Sequence, residues 1–164
     1  MVIPRVDEGK SESASGNRIA RRPDGTDPYY LDSNIFFYAK IRDRKYGDAC
    51  AHVLRQLVDG KLSGATSTLA LVETSNALRK YGRSGDVPDE VGAIYSLGLT
   101  VHELLNVDVR LATELFQETR VNPYDCTHAA IMKRTGLRNI LTADGHFKDI
   151  PGITRIDPLT LPKH

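Results

Sequence analysis

From Tyr29 onward, short apolar runs alternate with stretches of helical periodicity. Tyr29 to Leu31 reads as a strand, and the Asp-Ser-Asn that follows suits the cap of a short helix starting near Ile35. Between Tyr46 and Asp59, the residues Cys50, Val53, Leu54, Leu57 and Val58 recur at helical spacing, and Gly60 stops the pattern. Leu62 to Thr66 is a short strand, and Thr68 to Tyr81 a helix closed by Gly82. Pro88 to about Leu97 carries a weaker helical pattern, Thr100 to Leu105 reads as a strand, and Asp108 to about Thr119 as a helix. Asn122-Pro123 is a capping residue followed by proline at the first helical position, so a helix starts there and runs to Gly136. Arg138 to Thr142 and Ile153 to Ile156 complete the set as strands.

Unbroken apolar strands alternating with helices predict an α/β fold, a parallel sheet covered by helices on both faces. In such sheets, sites gather beyond the carboxyl ends of the strands, near the switch in strand order. Four acidic residues bear on that edge. Asp32 and Asp144 each fall just past a predicted strand, Asp125 is the third residue of a helix, and Glu73 lies in the second turn of another. They are 41, 52 and 19 residues apart along the chain. Each sits beside an apolar run, where a carboxylate is costly unless compensated. Brought together, they would form an oxygen-only pocket for a hard divalent cation. Crowded carboxylates repel, so without a cation at least one should take up a proton.

Each acid also has a structural reading. Asp32 can cap a helix, Asp125 can complement a helix dipole, Asp144 in TADGH can hold a turn, and Glu73 can face solvent. His52, His102, His128, His146 and His164 show no metal-ligand spacing, and His128 reads as a satisfied helix histidine. Neither GxxxxGK[ST] nor GxGxxG occurs, and no partner pattern supports Ser33, Ser75 or Thr127 as a nucleophile. A phosphatase built on two aspartates two residues apart is disfavoured by Asn34.

Composition adds limits. The 164 residues suit about one domain, and a net charge of +1 confines any nucleic-acid contact to a local patch. Two such patches suggest themselves: Lys40, Arg42, Arg44 and Lys45, and Arg79, Lys80 and Arg83 at the end of the Glu73 helix. Cys50 and Cys126 lie in apolar helical stretches and read as small core residues of a cytoplasmic protein. No stretch approaches the ~20 apolar residues of a membrane span. Residues 1–28 hold three prolines, three glycines, three serines and balanced charge, the composition of a flexible extension preceding a domain over 29–164.

The segments LDSNIFFYA, LVETSNAL, NPYDCTHAAIM and LTADGHF resemble, in order and separation, the four acidic motifs of PIN-domain ribonucleases. The short chain is most similar to the VapC-type toxins of toxin–antitoxin pairs. The resemblance covers Tyr29 to about Leu159 and departs at His128, where aliphatic residues are frequent, and in the long amino-terminal extension. It implies a small three-layer α/β/α sandwich, a Mg²⁺ or Mn²⁺ site and endonuclease activity on RNA. By motif, Asp32, Glu73, Asp125 and Asp144 would form the acidic site, Asp32 and Asp125 its most direct ligands, and Asn34 and Thr142 its polar supports. It further implies a small antitoxin partner and a homodimer. An RNA-processing nuclease without an antitoxin, or a non-catalytic PIN module binding RNA or protein, are the alternatives.

Overall fold

The computed structural model describes residues 27–162; the predicted flexible extension lies almost entirely outside them. Five strands form one sheet: β1 (Tyr29–Leu31), β2 (Gly64–Ser67), β3 (Thr100–His102), β4 (Asn139–Leu141) and β5 (Thr154–Ile156). The order is β3-β2-β1-β4-β5 and every pairing is parallel. Strand order therefore reverses at β1, between β2 on one side and β4 on the other. A crevice at the carboxyl ends of β1 and β4 follows from that reversal.

Among the described residues six α-helices cover the sheet: α1 (Ser33–Ile41), α2 (Gly47–Val58), α3 (Thr68–Lys80), α4 (Val87–Tyr95), α5 (Asn106–Thr119) and α6 (Pro123–Thr135). Successive strand residues point to opposite faces. Thus Tyr30 and Ile140 enter a core with Ala112 and Leu115 of α5 and Ala129 to Met132 of α6. Leu31 and Leu141 enter another with Ile35 and Phe36 of α1, Val53 of α2, Leu71 of α3 and Ile94 of α4. The result is the expected α/β/α sandwich. Cys50 and Cys126 are unpaired and buried, as small core residues are.

Local signals explain the boundaries. Asn122 accepts from the Tyr124 amide at the start of α6, and Gly136 closes that helix with φ 78°, a conformation open to glycine at no steric cost. Ser67 ends β2 and caps α3 by accepting from the Ala70 amide. Several boundaries differ from the sequence reading by one to three residues, and two of them share a visible cause. The strand predicted to reach Leu105 ends at His102, and the next helix starts at Asn106 rather than Asp108. The cause is Asp108 itself, which reaches back to accept from the Leu105 amide at 2.8 Å and so occupies the first turn instead of opening it.

That carboxylate is only 1% exposed and also accepts from Arg134 Nε at 2.6 Å and Nη2 at 2.9 Å. Arg134 Nη2 donates as well to the Glu103 carbonyl, fastening the end of α6 to the start of α5. A buried carboxylate stripped of its cation is strongly destabilising, by about 3 kcal/mol or more. Arg134→Ala should therefore lower stability by about 3 kcal/mol in urea denaturation; a loss below about 1 kcal/mol would mean that water replaces the guanidinium.

Candidate metal centre

Asp32 directly follows β1 and its side chain is drawn into the fold, 6% exposed. Its Oδ1 accepts from the Ser33 amide at 2.7 Å, so it does cap α1. Its Oδ2 accepts from Thr142 Oγ1 and Asn34 Nδ2, both at 2.6 Å. Thr142 stands opposite Asp32 because β1 and β4 pair with Leu31 beside Leu141. The Thr142 hydroxyl also accepts from Asn34 Nδ2 at 2.9 Å and from the Asp144 amide at 2.9 Å. Asn34 and Thr142 thus tie the ends of β1 and β4 together around one carboxylate.

Asp144 is half-buried at the start of a short 3₁₀ turn over Gly145–Asp149, and its Oδ1 accepts from the His146 amide at 2.8 Å. The turn reading of this residue holds alongside its place in the pocket. From β5, Arg155 Nε donates to the Asp144 carbonyl at 2.7 Å and Nη2 to the Ala143 carbonyl at 3.1 Å, which fixes the segment that carries Asp144.

The four acids converge from four elements but divide into two adjoining groups. Asp32 and Glu73 join His128, while Asp125 and Asp144 join His146, with the ligand atoms of each group within 4.8 Å of one another. The pocket is therefore not oxygen-only, since each half includes an imidazole. His128 Nε2 lies 2.6 Å from Glu73 Oε2 and 3.8 Å from Asp32 Oδ1. Its Nδ1 lies 2.7 Å from the Tyr30 hydroxyl, which donates to Ser67 Oγ at 2.6 Å. His128 is satisfied, as the sequence reading has it, but by pocket groups. The signal was the Asp125-x-x-His128 spacing, which puts both side chains on one side of α6. Tyr30, two residues before Asp32, shares its strand face for the same kind of reason.

Electrostatics follow from this crowding. Burial pushes the Asp125 carboxyl up, Asp144 and Asp32 push it further, and it reaches about 7 against the pull of His128 and His146. Burial also raises Asp32, despite His128 and the Thr142 hydroxyl. For His128 burial works downward, but the hydrogen bond to Glu73 and the surrounding carboxylates outweigh it and the net shift is upward. Asp32, Asp125 and His128 therefore hold protons to higher pH than each would alone. One oxygen, Asp125 Oδ2, is buried and accepts no hydrogen bond. An unpaired buried carboxylate oxygen beside other carboxylates is a donor suited to a hard cation, so these residues fit Mg²⁺ or Mn²⁺.

A PIN-domain family model matches residues 29–153. The chain belongs to the PIN-domain family. No curated protein matches it. Among solved structures, it is similar to VapBC2 from Rickettsia felis bound to a promoter DNA fragment, at 20% identity and TM-score 0.60, over 79% of this chain and 98% of that one. It is similar to Mycobacterium tuberculosis VapC20, a sarcin–ricin-loop-cleaving toxin, at 18% identity and TM-score 0.62, over 73% and 92%. DNA-bound VapBC from Salmonella typhimurium matches at 20% identity and TM-score 0.61, over 80% and 98%.

Around the pocket of this PIN domain, the two basic patches are partly committed elsewhere. Lys40 pairs with Glu90 at 3.0 Å, Arg83 pairs with Asp86, and Lys45 lies over the Tyr46 ring at 4.7 Å. Lys80, by contrast, borders a cleft of about 570 Å³ that runs from Glu73 past Val72 and Asn76 to Tyr124. Among the described residues, no helix is long and apolar enough to cross a membrane.

The pH dependence of stability carries a definite sign. Asp125 has an ordinary value of 3.8 and about 7 in the fold, so between those values the native state binds more protons than the unfolded chain. Stability then falls as the pH rises through the folded value, and the upward shifts of Asp32 and His128 act in the same direction. In EDTA, the protein should melt lower at about pH 8 than at about pH 5, and Asp125→Asn should flatten the slope. Identical slopes for the two proteins would show that Asp125 titrates normally.

Proposed function

We propose that the chain is a divalent-metal-dependent endoribonuclease and the toxin of a toxin–antitoxin pair. The observation that carries the metal reading is the buried, unpaired Asp125 Oδ2 beside a second acidic group held by Asn34 and Thr142. Membership of the PIN-domain family and fold neighbours that include a named RNA-cleaving toxin support the nuclease and toxin readings. In this reading Asp32, Glu73, Asp125 and Asp144 form the acidic site, with Asp32 and Asp125 the most direct ligands of Mg²⁺ or Mn²⁺. Bound there, the cation would offset the charge that builds on the phosphoryl oxygens and would lower the pKa of an attacking water.

The chain's own groups supply the rest. Asn34 and Thr142 hold Asp32 in one orientation, so that it meets a ligand without reorganising. Arg155 fixes the Asp144 segment through its carbonyls. The cleft beside Glu73 offers Lys80 as a backbone-phosphate contact and the exposed Tyr124 as a stacking surface for an unpaired base. An antitoxin would inhibit by presenting an arginine to the carboxylates, since its planar fork engages a carboxylate through two hydrogen bonds. The exposed apolar side chains Leu104, Leu105, Val107 and Val109 around the start of α5 support a protein partner, whether antitoxin or second copy.

Purified protein should cleave labelled RNA with Mg²⁺ or Mn²⁺ and stop in EDTA. Asp32→Asn and Asp125→Asn each remove a ligand charge while keeping the shape, and should lower the rate by about a hundredfold or more. Wild-type rates in Asp32→Asn would sink the assignment. A small protein encoded beside this one should co-purify with it and restore growth to cells expressing it. Failure on both counts would remove the toxin reading and leave a nuclease without an antitoxin.

A further inference from the structure

Two basic segments far apart in the sequence meet in the fold. The turn between α1 and α2 carries Arg42, Arg44 and Lys45, and α3 ends on Lys80. Arg83, just past α3, ties the two together through Nη1, which donates to the Lys40 carbonyl at 3.2 Å. A row of aromatic rings also joins them. Tyr46 stacks on Tyr38 at 5.6 Å, Phe37 lies 5.7 Å from Tyr38, and Tyr81 stands edge-on to Phe37 at 5.8 Å. The Lys45 ammonium lies over the Tyr46 ring at 4.7 Å, at one end of the row. At the other end Tyr81 is 58% exposed and directly follows Lys80, which borders the cleft leading back to Glu73. Glu73 and Lys80 stand two turns apart on α3, about 10 Å along its axis. Acidic pocket, cleft and basic–aromatic row therefore form one continuous path. Arg42, Arg44, Lys45 and Lys80 are all exposed, and among the described residues none of them pairs with a carboxylate. The turn that presents the first three is fixed. Asp43 Oδ1 accepts from the Lys45 and Tyr46 amides at 2.9 Å and 2.8 Å, and Gly47 lies so close that a Cβ there would stand 2.7 Å from the Arg42 carbonyl carbon. Arg42 itself holds φ 53°, where glycine would be less costly.

We propose that this row is a second RNA contact, which grips an unpaired strand on one side of the scissile phosphate and several nucleotides away from it. Fixed cations meet the backbone phosphates, and an exposed ring stacks on a base that a duplex would keep covered. Tyr81 is the stacking residue in this scheme, and Arg44 and Lys45 are the phosphate contacts beyond it. The proposal rests on the ribonuclease reading above and adds a substrate requirement to it. The strand needs an unpaired flank long enough to reach from the pocket, past Lys80, to the turn between α1 and α2. An RNA that ends within the cleft gains nothing from the row.

Fluorescence anisotropy of a labelled unpaired RNA with the full chain, in EDTA, reads binding without cleavage. Replacing Arg44 and Lys45 together by alanine should flatten the dependence of log affinity on log salt by about 1.4, at about 0.7 per phosphate contact on a single strand. Replacing Arg110, on α5, and Arg138, just before β4, removes the same charge elsewhere and should leave the slope unchanged. Tyr81→Leu keeps an apolar contact with Phe37 but offers no ring, and should weaken binding by about fivefold or more, whereas Tyr81→Phe should not. These losses should vanish with an RNA too short to leave the cleft. Equal slopes for the two double variants, or wild-type affinity in Tyr81→Leu, overturns the proposal. If those variants instead fail to co-purify with the neighbouring small protein while keeping their RNA affinity, the row belongs to a protein partner and the proposal is again overturned. Cleavage in Mg²⁺ is read separately. A chain that cuts RNA while its variants bind like the wild type leaves the nuclease reading standing, and a wild type that neither cuts nor binds RNA overturns both.

Discussion

Carboxylates gathered at the carboxyl edge of a parallel sheet repel one another, and much of the polar architecture around them offsets that repulsion. Asp32 is surrounded by donors from Ser33, Asn34 and Thr142, and Glu73 is met by His128. Tyr30 and Ser67, both inside the sheet, hold the imidazole in place from behind. Only the Asp125 side is left short of donors, and there the carboxyl is pushed up to about 7. Compensation is thus uneven. It is built into the core on one side of the pocket and left to a ligand on the other.

Several residues serve the fold and the pocket at once, so for Asp32 and Asp144 a capping role does not compete with a place in the acidic cluster. Asp32 caps α1 with one oxygen and faces the Thr142 and Asn34 donors with the other. Asp144 caps a 3₁₀ turn while bordering Asp125. Ser67 caps α3 and ends the chain of hydrogen bonds that begins at Glu73. Removing any of these side chains disturbs an element boundary as well as the site. Amide substitutions, which keep shape and some acceptors, separate the two effects better than truncations do.

Most of the fold was legible because the signals were local. Gly136, Asn122-Pro123 and the apolar runs of β1 and β4 each act within a few residues, and the acids stood out by their position beside those runs. What stayed hidden depends on partners distant in sequence. His128 reads as an ordinary helix residue until Glu73, 55 positions away, is placed against it. Asp108 reads as a helix start until Arg134 arrives from α6. Lys40 looked free because its partner, Glu90, lies on a helix far along the chain. Sequence periodicity indicates which face a side chain occupies, whereas the identity of the group facing it is a tertiary fact.

The hydrogen bond from Thr142 to Asp32 spans 110 residues. The middle strand of the sheet is made first, and one of its two neighbours nearly last. A chain emerging from the ribosome therefore carries Asp32 and Glu73 long before it carries Asp125, Thr142 or Asp144. Until β4 has emerged and docked beside β1, Asp144 does not exist and Asp32 lacks the Thr142 donor that orients it. Translation itself thus delays the pocket: whatever reaction it performs, a nascent chain cannot perform it while most of its length is still tethered.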